Sequence, residues 1–457
     1  MPMRITEIEI ARLFGLFDHT IRMNSEERVT IIHGPNGYGK TTILGLIDNL
    51  FAGRYSEVTK IFFRDFRIAF DTGQFLEVVR VDARTKTAPK AGPDLHVSLR
   101  RGEKVEAKTT LSPVSPEALE FNLPPVEHLI PHIRRMGRLQ WRNLKTGEIL
   151  GVEEIIRLTA KFMPPSLLER VGFTPEPDWL RTFREGVPVR FIQSQRLLRV
   201  SKGQAPQEDA EPVRPAVLVY SSELAKLIQG KLAEYATLSQ SLDRSFPKRL
   251  VEQARSRGKE RSSIEGLREK LQQLEDKRES LTESGLLEEG EAFDLGSYLT
   301  EPNLTETVLP VYAKDAEEKL DVFKDIAPKI ELLKSIVNAH FQFKVMSISK
   351  EKGFEFETSY PGSTSKPRPL STAQLSSGEQ HMLVLLYELL FKVQPNSLIL
   401  IDEPEISLHV AWQLQLLSDI QRITELSTID VLIATHAPGI ISDRLDLTVE
   451  LKAPAEA

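Results

Sequence analysis

The stretch 29-VTIIHGPNGYGKTTILGLIDNLF-51 joins three local patterns in a fixed order. VTIIH is a β-branched run, which favours a strand, and GPNGYGK is a glycine-rich loop. TTILGLIDNLF then places its apolar residues at helical spacing. A strand, a glycine loop and a helix in this order predict that the loop binds phosphate groups at the positive N-terminal end of the helix.

The loop also satisfies the spacing G-x-x-x-x-G-K-[ST]. Its glycines let backbone N–H groups converge on phosphate oxygens. We expect Lys40 to bridge the β- and γ-phosphates of a nucleotide and the Thr41 hydroxyl to ligate Mg²⁺. A chance glycine turn is the alternative, and the flanking strand and helix argue against it. The predicted nucleotide-binding residues here are Gly34, Pro35, Asn36, Gly37, Gly39, Lys40, Thr41 and Thr42.

A second stretch, 398-LILIDEPEISLH-409, ends an apolar run in two adjacent carboxylates. Carboxylates at the end of a buried strand are costly unless something binds or titrates them. A phosphate-binding loop needs an acid at the end of a neighbouring strand to hold Mg²⁺, and Asp402 has that place. Glu403 points in a different direction and is the predicted general base that polarises the attacking water.

Length and composition limit the class of protein. The chain has 457 residues, which predicts one large domain with insertions or two domains. A hydrophobic fraction of 40% with no run near the length of a membrane helix predicts a globular protein that does not enter the membrane. The absence of cysteine excludes disulfides and thiol catalysis, and a net charge of −6 argues against a dedicated nucleic-acid coat. We therefore expect a cytoplasmic protein.

The order of the later motifs resembles the ATP-binding-cassette (ABC) ATPases, and within them the SMC-like and OLD-like branch. The segment 375-LSSGEQHMLVLLYELLFKV-393 precedes LILIDEPE, and 431-VLIATHAPGII-441 follows it, as in that family. The resemblance covers about 1–200 and 341–457. It implies an α/β fold, an ABC-ATPase head in which a P-loop mixed sheet carries an antiparallel β-subdomain and is interrupted by a helical or short coiled-coil insert.

The resemblance also implies roles for single residues. LSSGEQ is the signature motif, whose Ser377 and Gly378, with Glu379 beside them, contact ATP bound to the opposite subunit, so that two sites form in a head-to-tail homodimer. From the residues alone, an ordinary capped helix is the alternative. His436 matches the switch histidine that senses the γ-phosphate, and with Glu403 it completes the predicted catalytic pair.

A glutamine between the glycine loop and the signature segment is the least defined site residue. The strand 188-PVRFIQSQRLL-198 offers Gln193 and Gln195, and we predict that Gln195 contacts the nucleotide and Mg²⁺. Two surface amides are the alternative. The predicted metal ligands are therefore Thr41, Asp402 and Gln195.

The remaining segments predict the domain organisation. Residues 67–86 and 95–108 alternate in polarity, which predicts an antiparallel hairpin of the β-subdomain, and residues 111–187 are expected to be mostly helical. A leucine pattern at a/d spacing predicts a short coiled-coil arm, and a plain helical insert is the alternative. The pattern consists of Ile264, Leu267, Leu271, Leu274 and Leu281. The predicted parts are ATPase lobe I (1–200), the helical insert (201–340) and ATPase lobe II (341–457).

A basic and aromatic segment, 133-IRRMGRLQWRNLK-145, permits nucleic-acid binding without requiring it. Its cations would grip a phosphate backbone and its tryptophan would stack on a base, whereas a solvated loop or a protein contact is the favoured alternative. The side chains concerned are Arg134, Arg135, Arg138, Trp141 and Arg142.

The predicted activity is Mg²⁺-dependent ATP hydrolysis that is converted into a change of conformation or assembly. About fifteen residues follow the last motif, too few for another domain, so we expect any effector to be a separate protein. The layout resembles the ATPase subunits of bacterial anti-phage systems, first PARIS and then Septu. That resemblance implies a homo-oligomer that holds a toxic nuclease and releases or activates it on sensing a phage-encoded trigger protein. The alternatives are an SMC-like DNA-repair or recombination ATPase that clamps DNA and an RNA- or ribosome-associated ATPase.

Overall fold

The structure is a computed structural model. It describes residues 3–81, 93–112, 126–137, 140–144, 149–163, 175–200, 213–255, 264–288, 307–359 and 367–453. The chain divides into two compact units, one formed by Met1–Arg214 with Lys392–Ala457 and the other by Pro215–Phe391. The glycine loop and the acidic strand lie in the first unit and the signature segment in the second. The three-part division predicted from composition stays a prediction.

The first unit combines strands and short helices. Its strands are β1 (Ile5–Leu13), β2 (Phe17–Arg22), β3 (Val29–His33), β4 (Asp65–Phe70), β5 (Gln74–Val81), β6 (Asp94–Arg101), β7 (Lys104–Leu111), β8 (Ile133–Arg135), β9 (Gln140–Asn143), β10 (Ile149–Gly151), β11 (Val189–Ile192), β12 (Leu198–Val200), β13 (Val213–Pro215, its last residue beyond the unit), β17 (Leu398–Asp402), β18 (Asp430–Thr435) and β19 (Thr448–Glu450). Its helices are α1 (Lys40–Ala52), α2 (Tyr55–Lys60), α3 (Val126–Leu129), α4 (Val152–Thr159), α5 (Asp178–Glu185), α11 (Val410–Ser427) and α12 (Pro438–Ile441).

A parallel sheet forms the centre of the first unit. Among the described residues, five strands pair in the order β11-β17-β18-β3-β19, each parallel to its neighbour. β17 and β18 are buried along their whole length, as expected for apolar strands covered on both faces. Because all these strands run the same way, the carboxyl ends of β3, β17 and β18 meet at one edge.

An antiparallel sheet forms the second layer. The described strands pair in the order β2-β1-β4-β5-β6-β7. The predicted antiparallel pairing of residues 67–86 with 95–108 is confirmed, because β5 pairs antiparallel with β6. Each segment also contains an internal turn, so β4–β5 and β6–β7 are two further antiparallel pairs. The predicted fold class, with a mixed P-loop architecture, an antiparallel β-subdomain and a helical insert, is confirmed.

One hydrophobic core joins these layers. It contains the apolar face of α1 together with inward residues of the antiparallel sheet, such as Ile8 and Phe66, and of the parallel sheet, such as Leu400 and Leu432. Helix α1 begins after Gly39 and ends at Gly53, whose left-handed backbone (φ 70°) lets its N–H and the next one return to carbonyls of the last turn. The glycine loop therefore leads into a helix whose position is set by packing.

In the described part of residues 111–187, which we expected to be mostly helical, α3, α4 and α5 are present. In addition, β8, β9 and β10 form a small antiparallel sheet that the sequence did not predict. Trp141 is 1% exposed in the core of this sheet, packed with Ile133 and Leu150, and Arg142 is 2% exposed. A buried tryptophan cannot stack on a nucleic-acid base, so that part of the basic patch prediction is wrong. Arg134 and Arg135 are exposed, and Arg138 lies outside the described residues.

The second unit is mainly helical. Its helices are α6 (Ala216–Arg255), α7 (Ile264–Glu283), α8 (Leu309–Leu320), α9 (Ala327–His340) and α10 (Ser377–Phe391), and its strands are β14 (Lys344–Ser349), β15 (Gly353–Thr358) and β16 (Arg368–Leu370). Helix α8 packs against both α6 and α7. The predicted leucines Leu267, Leu271, Leu274 and Leu281 are buried. The helical insert is thus present, and the coiled coil stays a prediction.

No helix in the described ranges has both the length and the apolar character that a membrane crossing requires.

Candidate nucleotide site

The glycine loop between β3 and α1 has the backbone that phosphate binding requires. Gly34, Gly37 and Gly39 all have positive φ angles, of 152°, 87° and 89°. A Cβ atom at Gly39 would lie 2.6 Å from Cδ2 of Leu13, so a larger residue would displace the loop or the strand beside it. Pro35, Asn36 and Gly37 are exposed at the tip of the loop. The loop presents its backbone at the N-terminal end of α1, where anions are favoured.

Lys40 is held inside this loop. Its Nζ donates hydrogen bonds to the carbonyl oxygens of Gly34, at 2.6 Å, and Pro35, at 3.2 Å. The side chain is 7% exposed, so the ammonium group is directed at the loop instead of into solvent. The loop carbonyls fold around the cation that we predict to bind phosphate.

A single hydrogen bond connects the loop with the acidic strand. The Thr41 hydroxyl donates to Oδ1 of Asp402 over 2.9 Å, although the two residues are 361 positions apart. Burial raises the pKa of Asp402, the nearby carboxylates of Glu403 and Glu405 raise it further, and the Thr41 hydrogen bond and Lys40 oppose them. The Thr41 hydroxyl and the Asp402 carboxylate, which lacks a full countercharge, are together suitable ligands for a hard divalent cation.

The predicted general base follows directly. The backbone N–H of Glu403 continues the β17–β18 pairing by donating to the Ala434 carbonyl at 2.8 Å. Its φ of 44° is unusual for a residue with a side chain. Oε1 of Glu403 lies 3.5 Å from Nδ1 of His436, so the structure brings the two predicted catalytic residues together. Strained backbone of this kind is concentrated at functional sites.

The predicted glutamine is not engaged, and its neighbour is. Gln193 and Gln195 are both exposed after β11. Arg196 is instead 4% exposed and donates through Nη2 to the Pro404 carbonyl at 3.1 Å, next to the acidic pair. Gln195 as a nucleotide and metal ligand stays a prediction. Sequence reasoning missed Arg196, because no spacing rule marks an arginine between two short strands as buried.

The third acid of the IDEPE run was also missed. Glu405 is 7% exposed, and its Oε1 accepts hydrogen bonds from the Thr435 hydroxyl and the His436 backbone N–H. The signal available in the sequence was a third carboxylate within four residues of a buried strand. Its contacts come from β18, whose position beside β17 only the sheet order reveals.

In the second unit, the signature segment has a well-defined local structure. Ser376 and Glu379 form a reciprocal cap, in which the Ser376 N–H donates to Oε2 of Glu379 at 2.7 Å. Oε1 of Glu379 accepts from Nζ of Lys344 at 2.5 Å, and the Gln380 side chain donates to the Leu375 carbonyl at 2.8 Å. Glu379 therefore caps the N-terminus of its own helix, α10, whereas Ser377 is exposed. The roles of Ser377, Gly378 and Glu379 in nucleotide contact stay predictions.

The residues at the sheet edge fit Mg²⁺ as an ion shared with a nucleotide. Within the described ranges no group of three or more histidine, cysteine or acidic side chains is arranged to hold a metal by itself. Mg²⁺ in nucleotide sites is typically held by one or two protein oxygens together with substrate phosphates. Thr41 and Asp402 supply such oxygens beside the phosphate-binding loop.

Comparison with known proteins adds one family match. Residues 223–442 match the family model described as "AAA domain, putative AbiEii toxin, Type IV TA system". This range includes the signature segment, the acidic strand and His436, and it begins after the glycine loop. The comparison with curated proteins found no match. The match covers slightly less than half of the chain and indicates similarity to an AAA domain over that range.

Two solved structures show similarity at low identity. The Smc head domain from Pyrococcus furiosus, with an extended coiled coil and bound to the C-terminal domain of ScpA, is 13% identical with a TM-score of 0.36, covering 99% of this chain and 95% of that one. An SmcHead bound to the C-winged helix domain of ScpA is 10% identical with a TM-score of 0.32, covering 96% and 91%. We draw no conclusion about ligands or partners from similarity at this level.

Proposed function

We propose that this protein binds and hydrolyses ATP with Mg²⁺, using the loop after β3 and the acids after β17. The observation that carries the proposal is the Thr41–Asp402 hydrogen bond, which unites the two segments that such a site requires. The buried Lys40 and the Glu403–His436 pair lie in the same unit. The family match to an AAA domain agrees with this activity.

Each residue would contribute a separate part of the reaction. Backbone N–H groups of the loop and Lys40 would bind the phosphates, with Lys40 exchanging the Gly34 and Pro35 carbonyls for phosphate oxygens. Bound Mg²⁺ would neutralise charge on the phosphates, and Thr41 and Asp402 would hold it. Glu403 would orient the attacking water and accept its proton, giving ADP and phosphate. His436 would contact the transferred phosphoryl group from the side of Glu403.

The direct test is hydrolysis by the purified chain with ATP, with and without Mg²⁺. We expect phosphate release that requires Mg²⁺ and is lost in Asp402→Asn. Asp446→Asn is the matched control, because Asp446 is exposed and pairs with Arg444 away from the loop. Failure of the wild-type chain to bind ATP would overturn the proposal.

We further propose that the ATPase acts as the sensor and scaffold of an anti-phage defence system. In this proposal the chain forms a head-to-tail homodimer or higher homo-oligomer, with Ser377 and Gly378 completing the partner subunit's site. The assembly holds a separate toxic nuclease and releases or activates it when a phage protein is sensed. The description of the matching family, which names a toxin of a TA system, supports a role beside a toxic activity.

The test of this role is the mass of the native complex with ATP, alone and after co-expression with the neighbouring gene. We expect an oligomer that captures the neighbour's product and releases it on phage infection. An ATP-dependent dimer that ignores that product but shifts on DNA would instead support the DNA-clamping alternative. The burial of Trp141 and Arg142 weighs against that alternative, because it removes two of the side chains expected to grip DNA.

A further inference from the structure

We propose that Glu405, which the proposed mechanism does not use, is the positioning residue that holds His436 beside Glu403. This inference rests on the proposed ATPase function, since it assigns how the pair Glu403 and His436 is kept in place. Glu405 itself would touch neither ATP nor the attacking water.

The contacts of Glu405 are directed at the segment that carries His436. Its Oε1 accepts a hydrogen bond from the Thr435 hydroxyl at 2.7 Å and from the His436 backbone N–H at 3.2 Å. The same oxygen lies 3.6 Å from Nδ1 of His436. The Thr435 hydroxyl oxygen in turn accepts from the Ala437 N–H at 3.0 Å. One carboxylate oxygen thus organises three consecutive residues at the end of β18.

The exposure of the three side chains separates their roles. The side chains of His436 and Glu403 are 48% and 28% exposed, so both can reach a ligand, whereas that of Glu405 is 7% exposed. His436 lies at nearly equal distance from the two carboxylates, on the solvent side of the buried one. Because Glu405 is buried and contacts the exposed His436 from the protein interior, it can position the histidine but cannot contact the ligand directly.

The backbone between the two acids is held by a second contact. Arg196, in the segment after β11, donates to the Pro404 carbonyl at 3.1 Å, and Glu405 binds the segment after β18. Oε2 of Glu405 is buried and accepts no hydrogen bond from any residue that the structure describes. A buried carboxylate oxygen without a hydrogen-bond partner destabilises the fold, so stability alone does not explain this side chain.

The test is a double-mutant cycle on hydrolysis by the full chain. We measure kcat and KM for ATP in Glu405→Ala, His436→Ala and the double variant. Glu405→Ala should lower kcat about 10–100-fold, because small displacements of a reacting group have costs of this size, and should leave KM nearly unchanged. In the His436→Ala background the same substitution should have little further effect, since Glu405 acts through the histidine.

Two further variants keep the test decisive if Glu405→Ala fails to fold. Glu405→Gln retains an oxygen acceptor at the same reach and should recover most of the activity. Glu405→Asp retains the charge but withdraws the oxygen, and it should lower kcat as Glu405→Ala does. Asp430→Asn is the structural control, because Asp430 is equally buried at the other end of β18, where it pairs with Arg4. Its loss should lower the melting temperature and leave kcat unchanged.

The outcomes separate this inference from the proposed function. If the wild-type chain hydrolyses ATP and Glu405→Ala and Glu405→Asp keep the wild-type kcat, the positioning role is wrong. Equal losses of kcat with and without His436 would also overturn it. A wild-type chain that does not bind ATP would instead reject the ATPase function.

Discussion

Both ends of helix α1 have cations bound to backbone carbonyls, but the two arrangements differ. At its N-terminal end the backbone is bent by glycines and Lys40 is bound to loop carbonyls, which a phosphate would displace. At its C-terminal end two arginines donate directly to the last carbonyls, Arg157 to Ala52 at 3.0 Å and Arg184 to Phe51. Cations at this end are favoured by the helix dipole and satisfy carbonyls that a helix leaves without partners.

At the C-terminal end, the charge of Arg184 is neutralised by an acidic residue of the protein. Arg184 binds both oxygens of Glu176, at 2.6 and 2.9 Å, and the Tyr55 hydroxyl donates to the same carboxylate at 2.5 Å. Burial alone would raise the pKa of Glu176, but Arg184 and Tyr55 hold it below its usual range. The difference suggests that one helix has two roles, since we propose that a ligand replaces the interactions at one end, whereas the interactions at the other end stabilise the fold.

The largest effect should come from Lys40→Ala at the N-terminal end. Loss of the phosphate-binding cation should abolish ATP binding and hydrolysis, whereas the melting temperature without ATP should change little. Equilibrium binding of ATP is the measurement, and Lys60→Ala, an exposed lysine at the end of α2, is the matched control. Unchanged ATP affinity in Lys40→Ala would show that the glycine loop is not the nucleotide site.

Glu403→Gln should separate binding from chemistry at the same end. The amide keeps the shape of the side chain but cannot accept a proton, so kcat should fall about 10²–10⁴-fold. ATP should still bind, and the ATP-bound dimer should accumulate, which native mass measurements detect. Glu425→Gln, on the exposed face of α11, is the control. Turnover at the wild-type rate would mean that another residue is the base.

At the C-terminal end, Arg184→Met should act on stability. Removing the guanidinium leaves Glu176 buried without its cation, which should lower the free energy of unfolding by about 2–5 kcal/mol. Arg181→Met, on the exposed side of the same helix α5, should change it far less. Chemical denaturation measures both. If Arg184→Met abolished ATP binding in protein that remained folded, the functional separation of the two ends would be wrong.

The smallest effect should be a dependence on pH. Because folding lowers the pKa of Glu176, its stabilising contribution is present above the pKa of the unfolded chain and is lost as pH falls through the folded value. Melting temperatures of the wild type and Glu176→Gln should therefore differ at pH 7 and converge below about pH 4. A difference that stayed constant across this range would show that the contribution of Glu176 does not depend on its charge.

Much of the geometry of the candidate site was predictable because its rules are local. A loop that surrounds phosphate needs glycines at set positions between a strand and a helix, and Lys40 and Thr41 follow from that spacing. Asp402 and Glu403 were predictable because an apolar strand ending in acids is costly without a cation. The structure brings Asp402, Glu403 and His436 to the ends of neighbouring parallel strands, and Thr41, on α1, is hydrogen-bonded to Asp402.

Only the tertiary structure decided which polar side chains are buried and which distant residues they contact. The segment around Trp141 has the composition of a nucleic-acid contact, and its tryptophan lies in a core because the surrounding strands form a sheet. Arg196 and Glu405 resemble surface residues until β11, β17 and β18 are placed side by side. Local sequence determined which residues could bind phosphate, since backbone conformation depends on near neighbours. The order of the strands decided which charged side chains hold the site residues in place. That order depends on packing across the whole chain and cannot be read from local sequence.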